Sequence, residues 1–115
     1  QIFDLQNQLQ ASLNSGNLKE VEISLKKLSG LLGKDHYLIK KWQGILALKR
    51  KEYSKAENHF RTIWHKHSDS LKTGINLALS LIGQKKYSEA QDLYQKLKKR
   101  FPQSPLLEEI GYITN

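Results

Sequence analysis

The chain has 115 residues, of which 38% are hydrophobic, 26% are charged and two are proline; that balance sustains one packed domain and excludes a disordered linker. Nineteen Lys and Arg against eleven Asp and Glu give a formal charge of +8, which admits nucleic acid, anionic lipid or an acidic protein segment as a partner. With no cysteine, disulfide frameworks, thiolate zinc sites and cysteine nucleophiles are excluded, and apolar runs as short as Ile45-Leu46-Ala47-Leu48 exclude a membrane span or a secretory core.

In chain order, apolar residues at three- and four-residue intervals predict helices over 2–14, 18–31, 36–50, 53–67, 70–83 and 87–100, then a shorter piece from 105. The first carries Ile2, Leu5, Leu9 and Leu13 and stops at the turn Asn14-Ser15-Gly16-Asn17. The second carries Leu18, Val21 and Leu25 and runs into Gly30-Leu31-Leu32-Gly33. Asp35 is placed to cap the third helix and Ser68 or Asp69 the fifth, while Phe101-Pro102 closes the sixth. Ser104 before Pro105 offers an N-cap with proline at the first helical position. No segment alternates with period two, and Tyr112-Ile113-Thr114 is too short to build a sheet, so the expected fold is all-α. A chain that has no Met and begins at Gln1 is expected to be a piece of a longer protein.

A repeat organises these helices. Lys51-Glu52-Tyr53-Ser54-Lys55-Ala56 and Lys85-Lys86-Tyr87-Ser88-Glu89-Ala90 are near copies, and Tyr53 to Tyr87, Ala56 to Ala90 and Phe60 to Tyr94 are each separated by 34 residues. A weaker copy stands 35 residues earlier at Leu18, Val21 and Leu25, which places a one-residue insertion in the loop around Gly30–Gly33. The charge is uneven along this repeat. Residues 1–35 sum to zero, and the excess sits in Lys40-Lys41, Lys49-Arg50-Lys51, Lys85-Lys86 and Lys98-Lys99-Arg100. Three of these clusters fall at predicted helix ends, two of them C-terminal, where cations complement the macrodipole.

The 34-residue unit resembles the tetratricopeptide repeat (TPR), a helix-turn-helix with small residues where its helices cross. Gly44 and Ala78 stand at the family's small place on the first helix and Ala56 and Ala90 at its alanine on the second; Phe60 and Tyr94 match its aromatic and Pro102 its closing proline. The resemblance covers 36–102 well and 2–33 weakly, with Val21 in place of the alanine. Lys40 and Gln43 occupy the family's tryptophan and leucine places, so the third helix is expected to be rotated or to pack differently on its outer side. The resemblance implies a right-handed α-solenoid of three repeats, near 2–33, 36–69 and 70–103, followed by residues 104–115 as a cap or as the first helix of a fourth repeat. Its short loops suggest a bacterial parent. Because a lone helix pair cannot bury its apolar face, about three stacked units are the usual minimum for stability.

In such an array the first helices line a concave side, where partners commonly bind. Ile39, Gly44, Leu46 and Ala47 suit the core of the third helix, which leaves Leu38, Trp42, Ile45 and Leu48 as a second stripe toward that groove. Ile75, Leu79 and Ile82 extend the stripe onto the fifth helix, and Lys41, Lys72 and Asn76 are polar contacts along its edge. Trp42 is the expected anchor, unless the first helix covers it and makes it core. Lys41 and Asn76 fit part of the carboxylate clamp that one subgroup of the family uses, but Ile45 stands where that clamp needs asparagine.

The expected function is a non-enzymatic scaffold for a partner's peptide or helix, with a second copy of the chain as another partner. The alternative is electrostatic binding of nucleic acid or anionic membrane through the basic C-terminal two-thirds. No catalytic residue, metal or cofactor is assigned. His65 and His67 are two apart and diverge by about 200° on a helix, so they do not chelate one ion, and His36 and His59 stand alone; all four are expected at the solvated surface. Glycine-rich phosphate loops and nucleophile elbows do not occur. The aromatics Tyr53, Phe60, Tyr87 and Tyr94 are claimed by the repeat core, which argues against stacking on nucleic acid bases.

Overall fold

A computed structural model describes residues 1–68 and 70–108. It contains α1 (Ile2–Asn14), α2 (Leu18–Leu32), α3 (Tyr37–Lys49), α4 (Tyr53–Lys66), α5 (Leu71–Gly83) and α6 (Tyr87–Arg100), and helical backbone begins again over 105–108. Each helix ends within about a residue of its expected bounds. Asp69, Tyr112-Ile113-Thr114 and the rest of the C-terminal piece lie outside the described residues.

Within each hairpin the two helices are joined by the same backbone turn. The amides of Asn17, Glu52 and Lys86 bond to the carbonyls of Ser12, Ala47 and Leu81, and those of Gly16, Lys51 and Lys85 to Leu13, Leu48 and Ile82, all at 2.8–3.1 Å. This is the Schellman closure, which needs one left-handed residue: φ is 78° at Gly16, 60° at Lys51 and 62° at Lys85. A lysine there carries a steric cost of roughly 1 kcal/mol that glycine avoids, so the turn is imposed by helix packing in the second and third hairpins.

Three expectations are corrected at the helix ends. His36, not Asp35, caps α3 through Nδ1, which accepts from the Leu38 amide at 3.1 Å. Ser70, not Ser68, caps α5, its Oγ accepting from Thr73 at 3.3 Å. In both cases the residue immediately before the helix is the one whose side chain reaches the unpaired amides. The inserted residue of the first hairpin is absorbed by helix rather than loop: α2 has 15 residues against 14 in α4 and α6.

Packing proceeds from each helix to its neighbours in sequence, with a further contact between α3 and α5, as in a TPR-like helical solenoid. Two apolar clusters form. One joins Leu9, Val21, Leu25, Leu28, Ile39, Trp42 and Leu46; the other joins Ala47, Phe60, Ile63, Leu77, Ala78, Leu81, Leu93, Tyr94 and Leu97 with Leu107. The helix α3 is the wall between them, with Ile45 packed against both. Ala56 and Ala90 are fully buried, and the Phe60 ring lies directly on Gly44, where an added Cβ would stand 2.7 Å from it. That contact places Gly44 against α4, as expected of the small residue on the first helix.

Polar contacts tie one hairpin to the next at the repeat spacing. Glu22 of α2 pairs with Arg50, and Glu57 of α4 accepts from Gln84 Nε2 at 2.8 Å and pairs with Lys86 at 3.2 Å. Glu57 also accepts from Arg61 at 2.9 Å, and its side chain is only 12% exposed. Burial pushes its carboxyl upward, but the hydrogen bonds from Gln84, Arg61 and Lys86 and the Arg61 charge outweigh it and hold the group below its ordinary value of 4.5.

Gly44→Ala is expected to destabilise the protein by about 1–3 kcal/mol through overpacking on Phe60, whereas Gly30→Ala, with open space around the added methyl, is expected to stabilise it by about 0.5–1 kcal/mol. Chemical denaturation of both variants reads the opposite signs. A carboxyl depressed in the folded state contributes stability above its unfolded pKa and loses it as pH falls through the folded one. Glu57→Gln is therefore expected to cost about 1–3 kcal/mol near neutrality and to narrow its deficit against the parent as pH falls from about 5 to about 3.

Candidate functional site

Between the two clusters α3 presents the half-buried stripe Leu38, Lys41, Ile45 and Leu48, at spacings of three and four, with Ile45 and Leu48 also packed on the core. Residues that share one side of the helix at such spacings rise along it as a continuous line. Opposite stands α5 with Lys72, Thr73, Asn76, Leu79 and Ile82, and Phe60 and Ile63 of α4 form part of the floor. Two hollows open between them. One, of about 530 Å³, is lined by Tyr37, Lys41, Ile45, His67, Lys72, Thr73 and Asn76, with Gln10 of α1 and Ser70 at its rim. The second, of about 420 Å³, is lined by Ile45, Leu48, Lys49, Tyr53, Asn76, Leu79, Ile82 and Gly83. Sharing Ile45 and Asn76, they make one groove that holds Tyr37, Lys41, His67 and Lys72 toward the N-terminal ends of α3 and α5 and mainly aliphatic side chains, with Lys49 and Tyr53, toward their C-terminal ends.

Lys41 holds its ammonium 5.1 Å from the centroid of the Trp42 ring, and burial, then the charge of Lys72, lowers its pKa below 10.5. Among the described residues neither lysine is paired with a carboxylate. Tyr37 stacks on His36 at 5.0 Å and meets His67 at 5.9 Å, which closes the cationic end with aromatic surface.

Seven of the ten expected groove residues line these hollows: Lys41, Ile45, Leu48, Lys72, Asn76, Leu79 and Ile82. Leu38 is half-buried beside them. Trp42 is corrected. It is 3% exposed and lies in the cluster with Leu9 of α1, and its Nε1 is buried without a hydrogen-bond partner. At about 100° per residue it stands only about 60° round α3 from Ile45, enough to turn the ring from the groove into the wall against α1 and α2. Ile75 is corrected likewise: at 9% exposure it packs into the larger cluster. His65 and His67 are exposed as expected, His67 at the lining of the groove, whereas His36, which caps α3, and His59 are half-buried, and burial and then Lys40 lower the pKa of His59.

Tyr37, His67 and Thr73 were not anticipated. Tyr37 stands four residues before Lys41 on the same face, so the helical spacing carried a signal for it; His67 follows α4 directly and enters the lining from the short connection to α5. Among the described residues no three His, Asp or Glu gather as a metal site, and no helix is long and apolar enough to cross a membrane.

Stacked hairpins with small residues at their crossings and a groove along the first helices define a tetratricopeptide repeat scaffold, a class that generally serves protein interaction. The chain belongs to the family described as surface lipoprotein assembly modifier, N-terminal TPR repeats, which matches residues 3–106. None of the curated proteins matches it.

Trp42→Ala is expected to cost about 3–5 kcal/mol of folding stability, as for a core aromatic. Trp42→Phe, which removes the unpaired indole N–H while keeping most of the volume, is expected to cost less than about 1.5 kcal/mol. Thermal melts of the two variants check both values.

Proposed function

We propose that this module is a non-enzymatic scaffold whose α3–α5 groove holds a segment of a protein partner, with apolar side chains against Ile45, Leu48, Leu79 and Ile82 and an acidic group between Lys41 and Lys72. The observation that carries the reading is the continuity of the two hollows through Ile45 and Asn76, with Lys41 and Lys72, unpaired among the described residues, at one end and mainly aliphatic side chains beside Lys49 at the other. The partly desolvated ammonium of Lys41, held near the exposed one of Lys72, favours an anion, because a carboxylate relieves their repulsion and the lost hydration of Lys41. The family description points to a partner taking part in surface lipoprotein assembly. Such a segment would be amphipathic, with acidic and aliphatic residues a few positions apart.

The test is titration with peptides carrying Asp or Glu two to four residues from Leu or Ile. Lys72→Ala changes an exposed position, so stability should move by no more than about 0.5 kcal/mol, and Leu79→Ser, at a side chain 36% exposed, should cost about 1–2 kcal/mol, while affinity falls about tenfold for each. Unchanged affinity in both variants would sink the groove. A DNA oligomer that binds near 50 mM salt, with log affinity falling steeply against log salt, would favour the electrostatic alternative instead.

A further inference from the structure

The first hairpin has a second face, turned away from the rest of the stack. On α2, Glu22 pairs with Arg50 after α3, whereas Ile23, Lys27, Gly30 and Leu31 form a stripe centred about 120° round the helix from it. Ile23 is 47% and Leu31 50% exposed. Between Lys27, Gly30 and Leu31 on this side and Asp4, Leu5 and Gln8 of α1 lies an open hollow of about 540 Å³.

Two features of the hollow serve nothing within the chain. Gly30 sits inside α2, where glycine costs stability relative to alanine. Gly16 and Gly33 have positive φ, and Gly44, Gly74 and Gly83 lie under packed side chains, but an added Cβ at Gly30 meets nothing within 4 Å. Asp4 and Lys27 carry opposite charges into the same hollow, and among the described residues neither forms an ion pair.

We infer that this face is a docking surface for a second copy of the chain, joined about a twofold axis. An interface between identical patches requires each patch to complement itself, and a face that carries both an acid and a base does so: Asp4 of each copy meets Lys27 of the other. Gly30 lets the opposing helix approach closely, and Ile23 and Leu31 are covered by their counterparts and by the far side of the hollow. The charge of the whole molecule selects the same end. Residues 1–35 sum to zero, while the excess of +8 belongs to the rest of the chain, so two copies meet here without bringing their basic regions together. The face is independent of the α3–α5 groove and shares no residue with it. Two helices side by side present a surface about 20 Å long and about 20 Å wide, so the pair buries on the order of 1,000 Å², the lower limit for a specific contact. The dimer is therefore weak and reversible.

Sedimentation equilibrium of the 115-residue chain is expected to show a monomer–dimer equilibrium with a Kd of about 10 μM to 1 mM. Gly30→Gln, whose side chain has open space in the single chain, should melt no lower than the parent in dilute solution and weaken association at least about tenfold. Lys27→Asp, which sets two carboxylates against each other, should weaken it by about tenfold, and adding Asp4→Lys should return it to within about threefold of the parent. A chain that stays monomeric at about 1 mM overturns the inference. So does a dimer that is unaffected by Gly30→Gln and by Lys27→Asp but lost in Leu79→Ser, because the copies would then meet through the groove.

Discussion

The contact between the Phe60 ring and the backbone of Gly44 sets the rest of the structure. An aromatic ring seated where a Cβ would stand 2.7 Å away fixes both the separation of α3 from α4 and the rotation of α3 about its own axis. Once that rotation is fixed, Ala47 faces the second cluster, Ile39, Trp42 and Leu46 face α1 and α2, and the stripe through Lys41 and Ile45 is left for the groove. One close approach therefore partitions a helix that is apolar on several sides, and the partition decides which of its side chains a partner can meet.

Part of the positive charge that dominates the composition is tied into the architecture. Arg50 binds Glu22, Lys86 binds Glu57, Arg61 reaches both Glu57 and Glu89, and Arg100 donates to the Ser68 carbonyl. Lys98, Lys99 and Arg100 also crowd the last turn of α6, where they face the negative end of its dipole. The exposed ion pairs contribute little each; the nearly buried carboxylate of Glu57 contributes more, because its three donors come from two hairpins and hold them in register. Lys41 and Lys72 stand apart from this network, and their place in the groove gives them a chemistry that a solubilising surface does not require.

The two ends of the groove differ for a physical reason. The N-terminal ends of α3 and α5 are where connecting loops pass, so polar and aromatic residues such as His67 and Ser70 gather there, and the unpaired amides of α5 are met by Ser70 itself. Toward the C-terminal ends the helices pack against Tyr53 and Gly83, and aliphatic side chains can line the hollow without stranding polar groups.

The sequence by itself determined the helices, their pairing into hairpins and the crossing points, because helical spacing and a 34-residue repetition of Tyr, Ala and aromatic residues are properties of the chain read in one dimension. It also determined most of the groove, since Lys41, Ile45 and Leu48 share a face by spacing alone. Tertiary structure decided the rest. Trp42 and Ile45 differ by about 60° round the helix, an angle that apolar periodicity does not resolve when several sides of α3 are apolar; only the placement of α1 settles that Trp42 is covered. The caps at His36 and Ser70 depended on loop geometry that put neighbouring Asp35 and Ser68 out of reach. Glu57 met Gln84 and Lys86 of the next hairpin, because a contact between layers exists only once the layers are stacked.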